Sequence, residues 1–353
     1  MPSKAAYTLR DKLLSGEMDA AALEAALSTP ADLANFQVLA TNLYAVEPLF
    51  NTINGFDAVA GSAAARAIIL NSRAALRAAA ASDFATQRLC STGTGALLLA
   101  EILRDTTGGR FSHWRTFAAN YARIKSMVNA TDSKLKRVIF KSSGTWTKPA
   151  SGVLALSVAA VGGGKGGYGT GSTSTSISGS GGQGGQIVVA NILTLPATDQ
   201  TVSIGSGGAG KNPSGSSGWV GSGGNTSFGA YVTAVGGGLS GNNTDGGWQA
   251  FTELDLQAAV FQVVSASQKG GDSAQDGLPN TAGRSAYRNP NTVAKPGRAY
   301  GGGGGKGTSA FTGSGVSALP NTGAGGGGAS SDNSTSSGGN GGSGILIVNW
   351  LEA

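Results

Sequence analysis

Of the 60 glycines in this 353-residue chain only 7 precede Lys141, so the remainder load the later part to about one residue in four. A residue without a side chain brings no packing surface beyond its own backbone, so such a stretch is ordered only where backbones approach one another directly. The glycines cluster as VGGGKGG at Val161, VGGGLSG at Val235, YGGGGGKG at Tyr300, GAGGGGA at Gly323 and GGNGGSG before Ile345, each beside a short apolar run. That arrangement divides the chain in two and suits architecture better than a linker.

Hydrophobic residues make up 40% and charged residues 12% of the sequence, too apolar and too weakly charged for a disordered chain. The net charge of +6 is shared between the two halves without a basic arm or stripe, which argues against nucleic-acid binding despite a pI of 9.5. Lys4, Arg10, Asp11 and Lys12 interrupt the start before any signal-peptide core can form, and no apolar run reaches membrane-spanning length. The expectation is synthesis in a cytoplasm, no export by the usual route and no membrane insertion. Cys90 and His113 are each the sole residue of their type, so an intrachain disulfide, a cysteine cage and a two-histidine metal site are all excluded.

Residues 1–139 read as an Ala-rich helical region, with apolar positions at helical spacing in Leu9, Leu13 and Leu14 and again in Leu23, Ala26 and Leu27. Pro30 after Ser28 and Thr29 marks a helix start. From Phe56 a ten-residue rhythm sets in, punctuated by Gly61-Ser62, Asn71-Ser72 and Ala81-Ser82, and a serine at each break can cap the next helix. Stacked helices of one or two turns follow from this; an Ala-rich bundle with an accidental period is the alternative. Repeats so short must stack on neighbours or on other copies of the chain, which predicts self-association. The basic cluster Lys134, Lys136 and Arg137 reads as a solvated helix end where the halves join.

Residues 140–353 read as a glycine-rich β domain. Candidate strands are VLALSVAAV, GQIVVANILTL, TVSIG, SFGAYVTAV and GILIVNW, and the near copies SVAAVGGG and YVTAVGGG suggest related strands ending in equivalent glycine turns. A floppy tether is the alternative for the glycine runs, but a tether has no use for Trp219, Trp248 or Tyr300. Glycine-rich helices with three residues per turn can pack side by side as polyglycine-II, joined by main-chain hydrogen bonds. The fold class is therefore α+β and multidomain: short helices, then a glycine-rich all-β domain.

Several motifs invite a catalytic reading and fail. GSGGAGKN, at 205–212, satisfies GxGxxG and part of a phosphate loop, but Asn212 stands where Ser or Thr belongs and Pro213 forbids the following helix. Glu253 and Asp255 have no further acidic support for a glycosidase pair. His113 sits in the helical half with nothing resembling a nucleophile elbow around it. No enzyme activity, cofactor or metal is expected.

The opening SSGTWTKPASGV, the middle TVSIGSGGAG followed by GSGGNTSFGAYVTAVGGG, and the ending GGNGGSGILIVNW together resemble the glycine-rich C-terminal domains of bacteriophage tail fibres and tail-tip adhesins, over 140–350. The Ala-rich repeats are similar to those fused upstream of such domains. The resemblance implies a virion protein, a homotrimer, whose N-terminal region attaches to other tail, baseplate or capsid proteins. Its loops between glycine-rich strands would bind a bacterial surface glycan or outer-membrane protein. Those loops map to 165–183, 211–225, 239–248, 283–300 and 308–322. The receptor-binding candidates in or beside them are Tyr168, Trp219, Trp248, Arg284, Tyr287, Arg288, Arg298, Tyr300 and Phe311: aromatic rings to stack on sugars, arginines to meet phosphate or carboxylate. A head fibre or capsid decoration protein without a host-range role is the alternative, and a capsular depolymerase a more distant one.

Overall fold

The computed structural model describes residues 2–104, 127–169, 177–178, 182, 184–211, 220–238, 264–266, 314–327, 330–331 and 336–353. They fall into two compact units, one of 1–137, 149–156 and 349–353, the other of 138–148 and 157–348.

The first unit is helical: α1 Lys4–Ser15, α2 Ala20–Ala26, α3 Pro30–Thr41, α4 Leu43–Val46, a 3-10 turn Glu47–Asn51, then α5 Ile53–Gly61, α6 Ala63–Leu70, α7 Arg73–Ala81, α8 Asp83–Ser91 and α9 Gly93–Leu103. The ten-residue rhythm is real and longer than Phe56 onward suggests. Asn42, Thr52, Ser62, Ser72, Ser82 and Thr92 stand at successive N-caps, and all but Thr52 accept an N–H from the residue three further on. Each serine does two jobs. Ser72 Oγ accepts from the Ala75 amide at 3.2 Å and donates to the Ala40 carbonyl, while Ser82 Oγ accepts from Ala85 at 3.0 Å and donates to the Phe50 carbonyl at 2.9 Å. A hydroxyl is both donor and acceptor, so one atom caps a helix and staples it to a turn 32 residues earlier. Between Gly61 and Ser62 the axis turns by 94°, so α5 and α6 are separate short helices. The amide that receives the cap belongs to a buried small residue, Ala65, Ala75, Ala85 or Gly95, and a Cβ on Gly95 would overlap the Arg88 carbonyl. Phe50, Phe56, Leu76, Leu89 and Leu99 then fill the core.

Helix does not continue to Arg137. Leu135–Phe140 is a strand, β1, so the basic residues Lys136 and Arg137 lie on a strand and not at a helix end. The β-branched Val138 and Ile139 favour the extended backbone there. Further strands are β2 Gly144–Trp146, β3 Val153–Val161, β4 Ile177–Ser178, β5 Ile187–Asn191, β6 Gln200–Ser203, β7 Thr226–Phe228, β8 Val232–Ala234, β9 Val264–Ala266, β10 Ser330–Ser331 and β11 Ile345–Glu352. One sheet has the order β1-β11-β3-β5-β9, another β2-β6-β7-β8, and β4 pairs with β10. Several strands are shorter than their sequence patterns predict: SFGAYVTAV is a hairpin of β7 and β8, and GQIVVANILTL supplies only five strand residues. Ala159, Val161, Ile187, Val189, Ile345 and Ile347 form one core cluster, and Trp146, 2% exposed, packs edge-on to Phe228 with centroids 5.6 Å apart.

Strands do not end in glycine turns. β3, β6 and β8 run directly into extended segments at 162–169, 204–211 and 235–238, while 220–225 and 337–344 lead into β7 and β11. The segment 162–169 is surrounded. It shares main-chain hydrogen bonds with six other described segments: Gly162 donates to Gln186, Gly163 to Gly224, Gly164 to Gly342, and Gly208, Gly237 and Gly326 donate to it. Contacts to one neighbour recur every third residue, as in Gly163 to Gly224 and Gly166 to Gly221, or Gly164 to Gly342 and Gly167 to Gly339, all at 2.8 to 3.0 Å. Side chains are excluded by geometry: a Cβ on Gly164 would overlap the Ala324 carbonyl, and one on Gly341 would overlap that of Gly164.

Candidate functional site

The hydrogen-bond register fixes the direction of each glycine segment. Gly208 bonds Gly164 and Lys211 bonds Gly167, so 204–211 runs parallel to 162–169; Gly163 with Gly224 and Gly166 with Gly221 make 220–225 antiparallel. By the same reasoning 323–327 runs with 162–169, and 337–344 runs against both, because Gly342 bonds Ala324 and Gly339 bonds Gly327. The segments that follow β3, β6 and β8 therefore run one way, and those that lead into β5, β7 and β11 run back, joined by 314–319, in which Gly315 bonds Ser337 and Ala318 bonds Asn340. One end of the bundle carries the sheets and one reversal, 320–322, where the Asn321 amide donates to Ser343 Oγ at 2.8 Å; at the other, the reversing end, the segments after β3 and β6 stop and those before β5 and β7 start.

At the reversing end Tyr168 and Gly169 close the central segment. The Cβ direction of Gly169 meets the Lys211 carbonyl at 2.6 Å and that of Ser336 at 2.8 Å, so three chain segments converge there. The β4–β10 ribbon, with Ser330 opposite Ser178, belongs to the connections made at this end. Lys165, one turn of the segment before Tyr168, is 5% exposed; its Nζ donates to the Tyr168 hydroxyl at 3.2 Å and lies 5.0 Å from the ring centroid.

Of the nine receptor-binding candidates the structure describes Tyr168 alone, half-buried in this convergence. Trp219, Trp248, Arg284, Tyr287, Arg288, Arg298, Tyr300 and Phe311 lie outside the described residues. The loop boundaries need correction. Residues 165–167, expected in an exposed loop, are buried in the centre of the bundle, and 220–225 form one of its segments; 314–322 is irregular and largely exposed, as expected, although 314–319 runs along 337–344. Glycine gives no hydropathy contrast between a packed segment and a loop, so the boundary was invisible. Lys165 was missed for that reason: a lysine among glycines reads as solvent-exposed, and only the six surrounding backbones bury it.

The phosphate-loop match at 205–212 is part of the same bundle. The Gly208 and Lys211 amides, which would face a phosphate, are taken by the Gly164 and Gly167 carbonyls at 2.8 and 2.9 Å. Elsewhere, a groove of about 570 Å³ between α1 and α3 is lined by Lys4, Thr8, Lys12, Asp32 and Asn35, with exposed lysines and a carboxylate on opposing walls. Among the described residues no three His, Cys, Asp or Glu side chains gather to hold a metal. No single described helix is long and apolar enough to cross a membrane.

A comparison with curated proteins gives no match to the chain. A comparison with protein families matches 141–351, more than half of the chain, to the Glycine-rich domain, and to that family the chain belongs.

Proposed function

We propose that the chain is a non-enzymatic virion protein of a bacteriophage, a tail fibre or tail-tip adhesin, in which the glycine bundle carries host-recognition loops at its reversing end. The observation that carries this reading is the shared direction of three segments: those that follow β3, β6 and β8 all run to the end away from the sheets, and Tyr168, Trp219 and Trp248 stand at or after their ends in sequence. A backbone-packed bundle holds its ends by many main-chain hydrogen bonds that no loop substitution disturbs. Sequence can then change at the tips without loss of fold, which suits a surface that must track a changing receptor.

The same proposal assigns the glycine segments to polyglycine-II packing. The three-residue period of contacts and the six neighbours of 162–169 support it. In this reading the chain is a homotrimer, the helical repeats attach it to other virion proteins, and the partner at the tip is a bacterial surface glycan or an outer-membrane protein.

Binding of the full-length protein to candidate host cells, with competition against phage infection, tests the reading. Saturable binding that blocks infection supports it. A folded protein that binds no host and blocks no phage overturns it and favours a structural fibre.

A further inference from the structure

We propose that Lys165 and Tyr168 form an anion-binding site at the reversing end of the bundle, which takes the phosphate or carboxylate of an acidic sugar; the choice of a sugar rests on the adhesin reading above. Lys165 interrupts VGGGKGG, where the flanking glycines admit no side chain at all. It is 5% exposed, yet no carboxylate lies within ion-pair distance of it among the described residues, and its polar contacts are the Tyr168 hydroxyl and ring. An ammonium stripped of water has to recover its solvation from partners, and one phenol satisfies one of its three donors.

The donors converge. The Tyr168 oxygen accepts from Lys165 Nζ at 3.2 Å, which leaves the phenol O–H to donate outward. Nζ lies 5.0 Å from the ring centroid, on the hydroxyl side of the ring. An oxyanion placed beside both would accept hydrogen bonds from the phenol O–H and from the two remaining ammonium donors, and its charge would offset that of the buried ammonium. Tyr168 is half-buried where Lys165 is buried, so of the pair Tyr168 is the one in contact with solvent. Neutral hydrogen-bonding sugars would leave the charge uncompensated, so the site selects acidic ones.

The test uses the full-length chain labelled with nitrogen-15 at lysine, titrated with glucose 6-phosphate in one arm and glucuronate in the other, each against glucose. A saturable shift of the Lys165 Nζ signal with an acidic sugar and none with glucose is expected, with affinity at least tenfold weaker in Lys165→Met and restored toward wild type in Lys165→Arg. The arm that saturates at lower concentration identifies phosphate or carboxylate. Absence of a saturable shift in both arms for the folded wild type overturns the proposal, as does unchanged affinity in Lys165→Met. Should Lys165→Met fail to fold, the wild-type titration decides alone. Cell binding without any shift sinks the anion site and leaves the adhesin standing; a saturable shift in a protein that binds no cells does the reverse.

Discussion

Replacing Gly164 by alanine adds one methyl group at the centre of the bundle, and the structure says what that methyl meets. Its Cβ would overlap the carbonyl of Ala324, and the Gly323 carbonyl lies 2.8 Å away. The obstacle is backbone on a segment that cannot retreat freely, because the Ala324 carbonyl accepts from Gly342 at 2.7 Å. Moving it also strains Gly164 to Gly342 and Gly208 to Gly164, both at 2.8 Å. Overpacking of a tight interior costs about 1–3 kcal/mol, and each buried main-chain bond left unmade costs about 1–3 kcal/mol. Against that, alanine restricts the unfolded chain and returns about 0.4–1 kcal/mol. With one or two of the three bonds lost, these terms sum to about 1–9 kcal/mol and centre on about 4, a large share of the ~5–15 kcal/mol that holds a typical domain. Gly238→Ala is the control, since nothing lies within 4 Å of a Cβ there, and it should stay within about 0.5 kcal/mol of wild type. Urea unfolding followed by amide exchange on peptides from 162–169 and 337–344 reads the effect where it occurs. If Gly164→Ala lowers stability by less than about 1 kcal/mol, and those amides stay as protected as in Gly238→Ala, the backbone packing described here is wrong.

The helical unit gives three further tests. Ser72→Ala removes a cap and strands the buried Ala40 carbonyl, so a loss of about 2–3 kcal/mol is expected by far-UV circular dichroism in urea, whereas Thr52→Ala, which caps nothing, should lose under about 1 kcal/mol. Equal effects would refute the double role of the serine. Glu24 accepts from the Ser62 hydroxyl and the Ala64 amide, which hold its carboxyl below the ordinary value of 4.5. That stabilisation is present above pH 4.5 and is lost as pH falls through the lowered folded value, so Glu24→Gln should flatten the acid limb of thermal stability and leave the neutral plateau parallel to wild type. Burial pushes the Cys90 thiol up to about 12, so a disulfide reagent at mild alkaline pH should label it only through opening of the unit. An opening free energy of about 4 kcal/mol slows labelling about 10³-fold relative to unfolded chain, and labelling within seconds would show that α8 is not packed as described.

The two halves were legible to different depths for different physical reasons. In the helical half the signal is local: a cap and its helix lie within ten residues, so Ser62, Ser72 and Ser82 announced the repeat. Asn42, Thr52 and Thr92 carry it on in other chemistry, beside Asn-Gly and Gly-Thr-Gly pairs that read as turns. Propensity misled at Leu135–Phe140, where helix-compatible lysine and arginine sit in a strand. In the glycine-rich half the pairing is non-local and carries no side-chain code. Gly164 meets Gly342 and Gly167 meets Gly339 across most of the domain, and one glycine is like another until the register is known. The near copies SVAAVGGG and YVTAVGGG suggest related strands but no pairing, and in the structure their glycine ends lie side by side, with Gly237 donating to Gly163 at 2.8 Å.

That asymmetry bears on how the bundle forms. The segment that completes the surroundings of 162–169 is 337–344, so the central backbones keep unpaired donors until almost the whole domain is present. Long loops must close before those bonds form, and glycine supplies no local propensity to favour closure. The β-strands are then the scaffold that makes a glycine bundle possible: Val161, Ile187 and Ile345 bury together, and each stands next to a glycine segment whose register it sets. A strand that shifts by two residues keeps its apolar face inward, but it moves the attached segment out of its three-residue phase and sets carbonyl against carbonyl. Agreement between a period of two in the strands and a period of three in the glycine segments is satisfied by few registers. This is how a domain with so few side chains in its centre still specifies one structure.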